Sequence, residues 1–210
     1  MNLCVFGATG ATGRLLTEQA LARGHEVVVF ARSASKLSQR HPRLTVLQGD
    51  LEDAAAVGEA VRGSDAVISL LGPRSGSKQR PLVRGMRNIL EAMEKHGVRR
   101  IVQTLTPSSP DPKDSFDLKL RLMVGMVKLG LRAAYEEIVG MGELLRRSDR
   151  DWTIVRVPLL NDKPASGKVR IGYPGQGILG TFLSRSDLAA FVLDETQNRR
   201  FVHQAPMISN

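Results

Sequence analysis

The feature that most constrains this chain is a rhythm. Short apolar runs alternate with longer stretches of helical period: "LCVFG" precedes "RLLTEQALARG", and "EVVVFAR", "LTVLQGD", "DAVISLLG" and "RRIVQTLT" follow in turn. Each run is nearly all apolar rather than alternating, as expected of strands covered on both faces. Between them, Leu15, Leu16, Ala20 and Leu21, and later Val83, Met86, Ile89, Leu90 and Met93, share helical faces. Strands joined by such helices run parallel. The pattern predicts an α/β, doubly wound parallel sheet over residues 1–106, within a single domain of 210 residues. Residues 107–210 form its helical, substrate-side elaboration and supply the last strands.

Beyond Thr106 the rhythm changes. "PSSPDPKDS" is a loop by composition, and residues 116–147 read as one or two helices rich in Leu, Met and Val. "DWTIVRVP" is a strand, "LLNDKPASGK" a loop, "KVRIGY" a further strand, and "SRSDLAAFVLDE" a helix with Ser186 near its cap. The stretch from Leu118 to Leu145 resembles a cover over the substrate end of the sheet. A subunit interface and an ordinary core are equally open readings, so monomer and homodimer both stand.

Composition narrows the function classes. A hydrophobic fraction of 42% and a charged fraction of 24% suit a globular domain. The one cysteine, Cys4, lies in the first apolar run and excludes an internal disulfide framework. No apolar run reaches the ~20 residues of a membrane span, and the chain enters a strand without a leader pattern. A cytoplasmic protein with no membrane partner is expected. The net charge of +9 suits an anionic ligand, but the basic residues are scattered and aromatics make up only 4%, which argues against a nucleic-acid partner. His25, His41, His96 and His203 lack metal-ligand spacing, so no metal is expected.

The stretch "GATGATG" sits where a strand gives way to a helix. There Gly7 lets the chain turn, Gly10 lets backbone approach a pyrophosphate, and Gly13 lets the helix pack on the sheet. The helix N-terminus, near Ala11, offers N–H groups to phosphate, and Thr9 and Thr12 add hydroxyls. After the second strand, an NAD-preferring site places a carboxylate, whereas this chain has Arg32, Ser33 and, shortly after, Lys36. A guanidinium clasps a 2′-phosphate, so the expected cofactor is NADP(H).

The G-x-x-G-x-x-G spacing resembles that of extended and atypical short-chain dehydrogenase/reductases. With "VVVFARSASKL", "LQGDLED", "GMRNILEAMEKHGVRRIV", "DWTIVRVPLL" and "SRSDLAAFVL", the chain resembles the NAD(P)H-binding family of the biliverdin reductase B/flavin reductase type, and NmrA-like proteins. The resemblance implies that Asp50 and Leu51 hold adenine, and that Leu71, Gly72 and Arg74 lie beside the pyrophosphate and ribose. It also implies that Thr104, Thr106, Pro158 and Leu159 lie near the nicotinamide.

Classical members of that superfamily carry a Tyr-x-x-x-Lys pair that exchanges a proton with substrate. Here Tyr135 is followed four residues on by Val139, and Tyr173 by Gly177, so the pair is absent. An isolated ketone needs a positioned acid, whereas a flavin, quinone or tetrapyrrole spreads the incoming charge. The expected activity is therefore NADPH-dependent reduction of a small-molecule conjugated acceptor such as a flavin, quinone or biliverdin-like compound. Thr106 and Tyr135 are the candidate catalytic residues, through hydrogen bonding and pocket lining. A non-catalytic NADP(H) sensor of the NmrA-like type is the alternative, and an isomerase or dehydratase is a third.

Overall fold

The computed structural model describes residues 1–37, 39–73, 81–177 and 179–210. Its first strand, β1 (Asn2–Phe6), passes through the glycine turn into α1 (Ala11–Ala22). There follow β2 (Glu26–Ala31), a 3-10 turn (Ala34–Lys36) and β3 (Leu44–Gln48). The predicted alternation continues with α2 (Ala54–Val61), β4 (Ala66–Ser69), α3 (Pro81–Lys95) and β5 (Arg100–Leu105). Next come α4 (Leu118–Gly130), α5 (Arg132–Arg147), β6 (Asp151–Arg156) and β7 (Leu159–Asn161). The chain ends through β8 (Arg170–Gly172), β9 (Phe182–Ser184), α6 (Arg185–Asn198) and β10 (Met207–Ser209).

Eight strands form one sheet in the order β3-β2-β1-β4-β5-β6-β10-β8, among the described residues. Every pairing from β3 to β10 is parallel, and only β8 runs antiparallel to its neighbour β10. The order reverses between β1 and β4, so crossovers leave in opposite directions and open a crevice at the carboxyl ends of the strands. β7 and β9 form a separate two-stranded parallel sheet.

Strand alternation divides the core into two layers. Leu3, Val5, Ile68, Val102 and Val155 point to the face covered by α1 and α6, which pack on each other. Cys4, Phe6, Val67, Ile101 and Ile154 point to the face of α2, α3 and α5. Burial pushes the Cys4 thiol far above the ordinary cysteine range, which makes it an unreactive packing group.

The second half departs from expectation in its small elements. The segment read as the loop "LLNDKPASGK" begins with β7, and the strands β9 and β10 were not anticipated. Three-residue strands carry no periodic signal, because their neighbours define them. The helix α6 is capped by Ser184, whose hydroxyl accepts from the N–H groups of Asp187 and of Ser186, which lies near the cap as read. Residues 116–147 divide at Leu131 into two helices of different character. In α5, Ile138, Met141 and Leu145 are core, whereas α4 buries no residue at all. No described helix is long and apolar enough to cross a membrane.

Candidate functional site

The glycine turn holds three residues for three reasons. Gly7 has φ +87°, and a Cβ there would sit 2.9 Å from the Leu70 carbonyl. At Gly13 a Cβ would lie 2.3 Å from the Gly7 oxygen and 2.5 Å from the Ala8 Cα, so only glycine lets α1 pack this closely. Gly10 differs: it is exposed, and its added Cβ would meet only the Gly7 oxygen, at an ordinary 3.4 Å. Space at Gly10 is therefore open toward solvent, where a ligand would come. Gly10 also caps α1 without any side-chain hydrogen bond, whereas α2, α4 and α6 are capped by Asp53, Asp117 and Ser184. A helix start left free of a side-chain cap, with backbone open beside it, fits a phosphate.

A cavity of about 410 Å³ lies against this turn at the carboxyl ends of the strands. Of the expected residues, Gly7, Thr9, Gly10, Arg32, Asp50, Leu51, Leu71 and Gly72 line it. Arg32 is exposed and makes no hydrogen bond or ion pair among the described residues, so its guanidinium is available to an anion. The Asp50 carboxylate accepts from the Glu52 N–H at 2.9 Å and shapes the turn after β3. Gly85 lets α3 approach Leu51, since a Cβ there would fall 2.8 Å from that side chain. The Leu71 carbonyl accepts from the buried Gln103 amide at 3.2 Å, which fixes the loop after β4 to β5.

A second cavity of about 1050 Å³ adjoins the first, and Pro73, Ala133 and Ala134 belong to both walls. Thr106, Pro158 and Leu159 line it, together with Met123, Val124, Val127 and Ile138 from α4 and α5. Its lining is mostly apolar, with the hydroxyls of Thr106, Ser108 and Thr181 among the few polar groups. Arg156 secures the loop bearing those first two hydroxyls. Its fully buried guanidinium donates to both Asp114 carboxylate oxygens at 2.6 Å, and to the Ala205 carbonyl at 2.7 Å. Arg146 adds bonds to the Ser109 hydroxyl and the Pro110 carbonyl. Burial lowers the Arg146 pKa, against which Asp111 and Asp114 act.

Ala11, Thr12 and Gly13, which form the first turn of α1, and Ser33 are part of neither cavity wall. The Ser33 hydroxyl instead pairs with that of Ser35 at 2.9 Å. Thr104 is also absent from both walls, because alternation along β5 turns it to the face of Val102. Tyr135 belongs to neither cavity wall. Helical spacing turns Ala134 and Ile138 inward, leaving the Tyr135 ring under Lys128 Nζ at 5.6 Å. Arg74 and the Lys36 side chain lie outside the described residues.

Sequence reasoning missed Phe30, Gly49, Glu137 and Ser108. The Phe30 ring packs on Phe6, with centroids 5.5 Å apart, and fills the space where a Gly49 Cβ would stand. The glycine after β3 was a usable signal for that close approach. Glu137, buried on α5, accepts from the Val83 N–H at 2.9 Å and joins the wall of the first cavity. Nothing local in the sequence marks it.

A family model of NAD(P)H-binding proteins matches residues 7–199. Over 119 residues the chain is 40% identical to a 3 beta-hydroxysteroid dehydrogenase/Delta 5→4-isomerase of Mycobacterium tuberculosis, covering 51% of this chain and 32% of that protein. The match thus spans about a third of that relative's length. Among solved structures, the fold is similar to ChuY, an anaerobillin reductase from Escherichia coli, at TM-score 0.81 and 23% identity, covering 100% of this chain and 97% of that one. It is also similar to a short-chain dehydrogenase/reductase from Veillonella parvula in complex with NADP, at TM-score 0.77 and 16% identity, covering 100% and 94%. The matched span runs from the first glycine of the turn through α6 and takes in most residues of both cavity walls: the chain belongs to the NAD(P)H-binding family.

Proposed function

We propose that this chain is an NADPH-dependent reductase, acting in the cytoplasm, that passes hydride to a bulky conjugated acceptor of the flavin, quinone or biliverdin type. The observation that carries this reading is the meeting of the cavity beside the glycine turn and Arg32 with a larger, mostly apolar one across Pro73, Ala133 and Ala134. The glycine turn and the α1 N-terminus would hold the pyrophosphate. Arg32, at the end of β2, would engage a 2′-phosphate with charge-assisted hydrogen bonds. A bound reduced nicotinamide supplies the hydride. Thr106 and Ser108 would hydrogen-bond a polar atom of the acceptor, while apolar residues of α4 and α5 exclude water from its rings. A conjugated acceptor spreads the added charge over many atoms, so it can take its proton from solvent without the absent tyrosine–lysine pair.

NADPH oxidation against FMN, FAD, quinones and biliverdin tests the proposal, with NADH in parallel and Arg32→Glu as the control. Turnover is expected with NADPH, and Arg32→Glu should weaken it about 10- to 100-fold, the loss of one or two charge-assisted bonds. NADH should be nearly unaffected by the variant. Tight NADP(H) binding with no turnover on any acceptor would instead favour the sensor reading.

A further inference from the structure

We propose that the outer face of α4 is a docking surface for an anionic lipid bilayer. This helix is apolar on two sides. Leu120, Met123, Val124 and Val127 line the second cavity. Leu118, Leu122, Met126 and Leu129 recur at spacings of four, four and three, on the opposite side. They are 58%, 61%, 67% and 88% exposed, and line neither cavity. A contiguous apolar stripe of this kind marks an interaction surface rather than scattered surface residues.

The borders of the stripe identify its partner. Helical spacing puts Lys119, which also borders the second cavity, on one edge and Arg121 and Lys128, whose Nζ lies 5.6 Å from the Tyr135 ring, on the other, and Leu118–Gly130 contains no Asp or Glu. At the N-terminal end, Phe116 is 70% exposed with its ring 5.4 Å from the Arg121 guanidinium. An apolar stripe whose helix carries cations and no carboxylate beyond its capping Asp117 complements an anionic bilayer: the apolar side chains enter the acyl boundary and the cations meet the headgroups. The net charge of +9 draws the chain toward such a surface. Thirteen helical residues span about 20 Å, less than the ~30 Å hydrocarbon core, so α4 lies along the membrane instead of crossing it.

A second copy of the chain fits this face less well. Twofold pairing through α4 would set cations against cations, with no carboxylate on the helix to answer them. One helix face also offers far less than the ~800 Å² per partner of a stable interface. Docking goes beyond the reductase reading and does not depend on it. If both hold, α4 alone separates the bilayer from the acceptor cavity.

The test is co-sedimentation of the full chain with phosphatidylcholine vesicles, with and without about 30% phosphatidylglycerol. The expected result is binding to the anionic vesicles only, weakening as salt rises. A Leu122→Gln/Met126→Gln/Leu129→Gln variant should bind at least tenfold more weakly, with an unchanged melting temperature because all three positions are exposed. An Arg121→Gln/Lys128→Gln variant should lose about 30-fold, at roughly fivefold per cation. This second variant keeps the proposal open to refutation should the first one misfold. Absence of binding to anionic vesicles overturns the proposal, and so does equal binding to neutral ones. Binding untouched by the triple substitution also overturns it, assigning the effect to net charge alone. A dimer in sedimentation equilibrium that dissociates in the triple variant, without vesicle binding, would give the face to a second copy. NADPH turnover enters none of these readouts, so failure of the reductase reading would leave them intact.

Discussion

Replacing each glycine of the opening turn by alanine should produce different failures, and the contrast tests the site assignment. At Gly13 the new Cβ would sit 2.3 Å from the Gly7 oxygen, where ordinary contact begins at 3.4 Å. Helix α1 must then back away by roughly 1 Å, carrying buried Leu16, Ala20 and Leu21 with it. Overpacking of this kind costs about 1–3 kcal/mol, or about 2–12 °C in Tm for a chain of this length. At Gly7 the left-handed backbone adds about 1–2 kcal/mol to the clash with Leu70. Gly10 has φ −75° and ψ 164°, which alanine adopts freely, so Gly10→Ala should keep or raise the Tm. Its methyl group nevertheless occupies the space where a pyrophosphate would approach, and NADP⁺ affinity should fall at least tenfold, about 1.4 kcal/mol. Thermal unfolding by circular dichroism, with and without NADP⁺, separates the two effects. Ligand at 100 times its Kd stabilises by about 2.7 kcal/mol, and Gly10→Ala should lose much of that increment while retaining its unliganded Tm. A Gly10→Ala variant with the full NADP⁺-induced rise would refute the phosphate assignment. A Gly13→Ala variant as stable as the parent would refute the packing argument.

Arg156→Met should leave Asp114 without its bidentate partner and cost about 3–5 kcal/mol, read as a lowered midpoint in urea unfolding. Asp187 should govern part of the acid limb of stability. Burial alone would raise its pKa, but the Ser166 and Gly167 N–H groups, the Asn210 amide and the Ser166 hydroxyl favour the ionised form and lower it. Its contribution is therefore full above about pH 4 and fades as pH falls through the depressed folded value. Asp187→Asn should flatten Tm against pH in that window, and an unchanged acid limb would count against the assignment. Removing both hydroxyls in Thr106→Val/Ser108→Ala should slow turnover of a conjugated acceptor by about tenfold or less, at unchanged NADPH affinity. Losing one donor to a localised oxyanion typically costs 10²–10³ in kcat. A loss of that size would therefore show that the substrate develops a localised charge, against the proposed acceptor class.

The sequence by itself determined the parallel sheet and the nucleotide turn, because both rest on local chemistry. Buried parallel strands demand unbroken apolar runs, and Gly7 and Gly13 are required by contacts within a few residues or to the adjacent β4 loop. Arg32 and Leu51 were legible for the same reason: each stands at a strand end or the loop beyond it, where an open α/β sheet binds ligands. Tertiary structure decided what no local pattern carries. The strands β9 and β10 exist through their partners, Glu137 reaches the cavity from a helix some 54 residues beyond Val83, and Tyr135 is turned away by the phase of α5. The sequence also left the Leu/Met-rich segment undivided among cover, interface and core. Packing divided it: α5 sinks Ile138, Met141 and Leu145 into the sheet's helical layer, and α4 stands clear with one apolar face to a cavity and the other to the outside. Composition states how much apolar surface a helix owns, but only the neighbours it meets in three dimensions determine how much is covered.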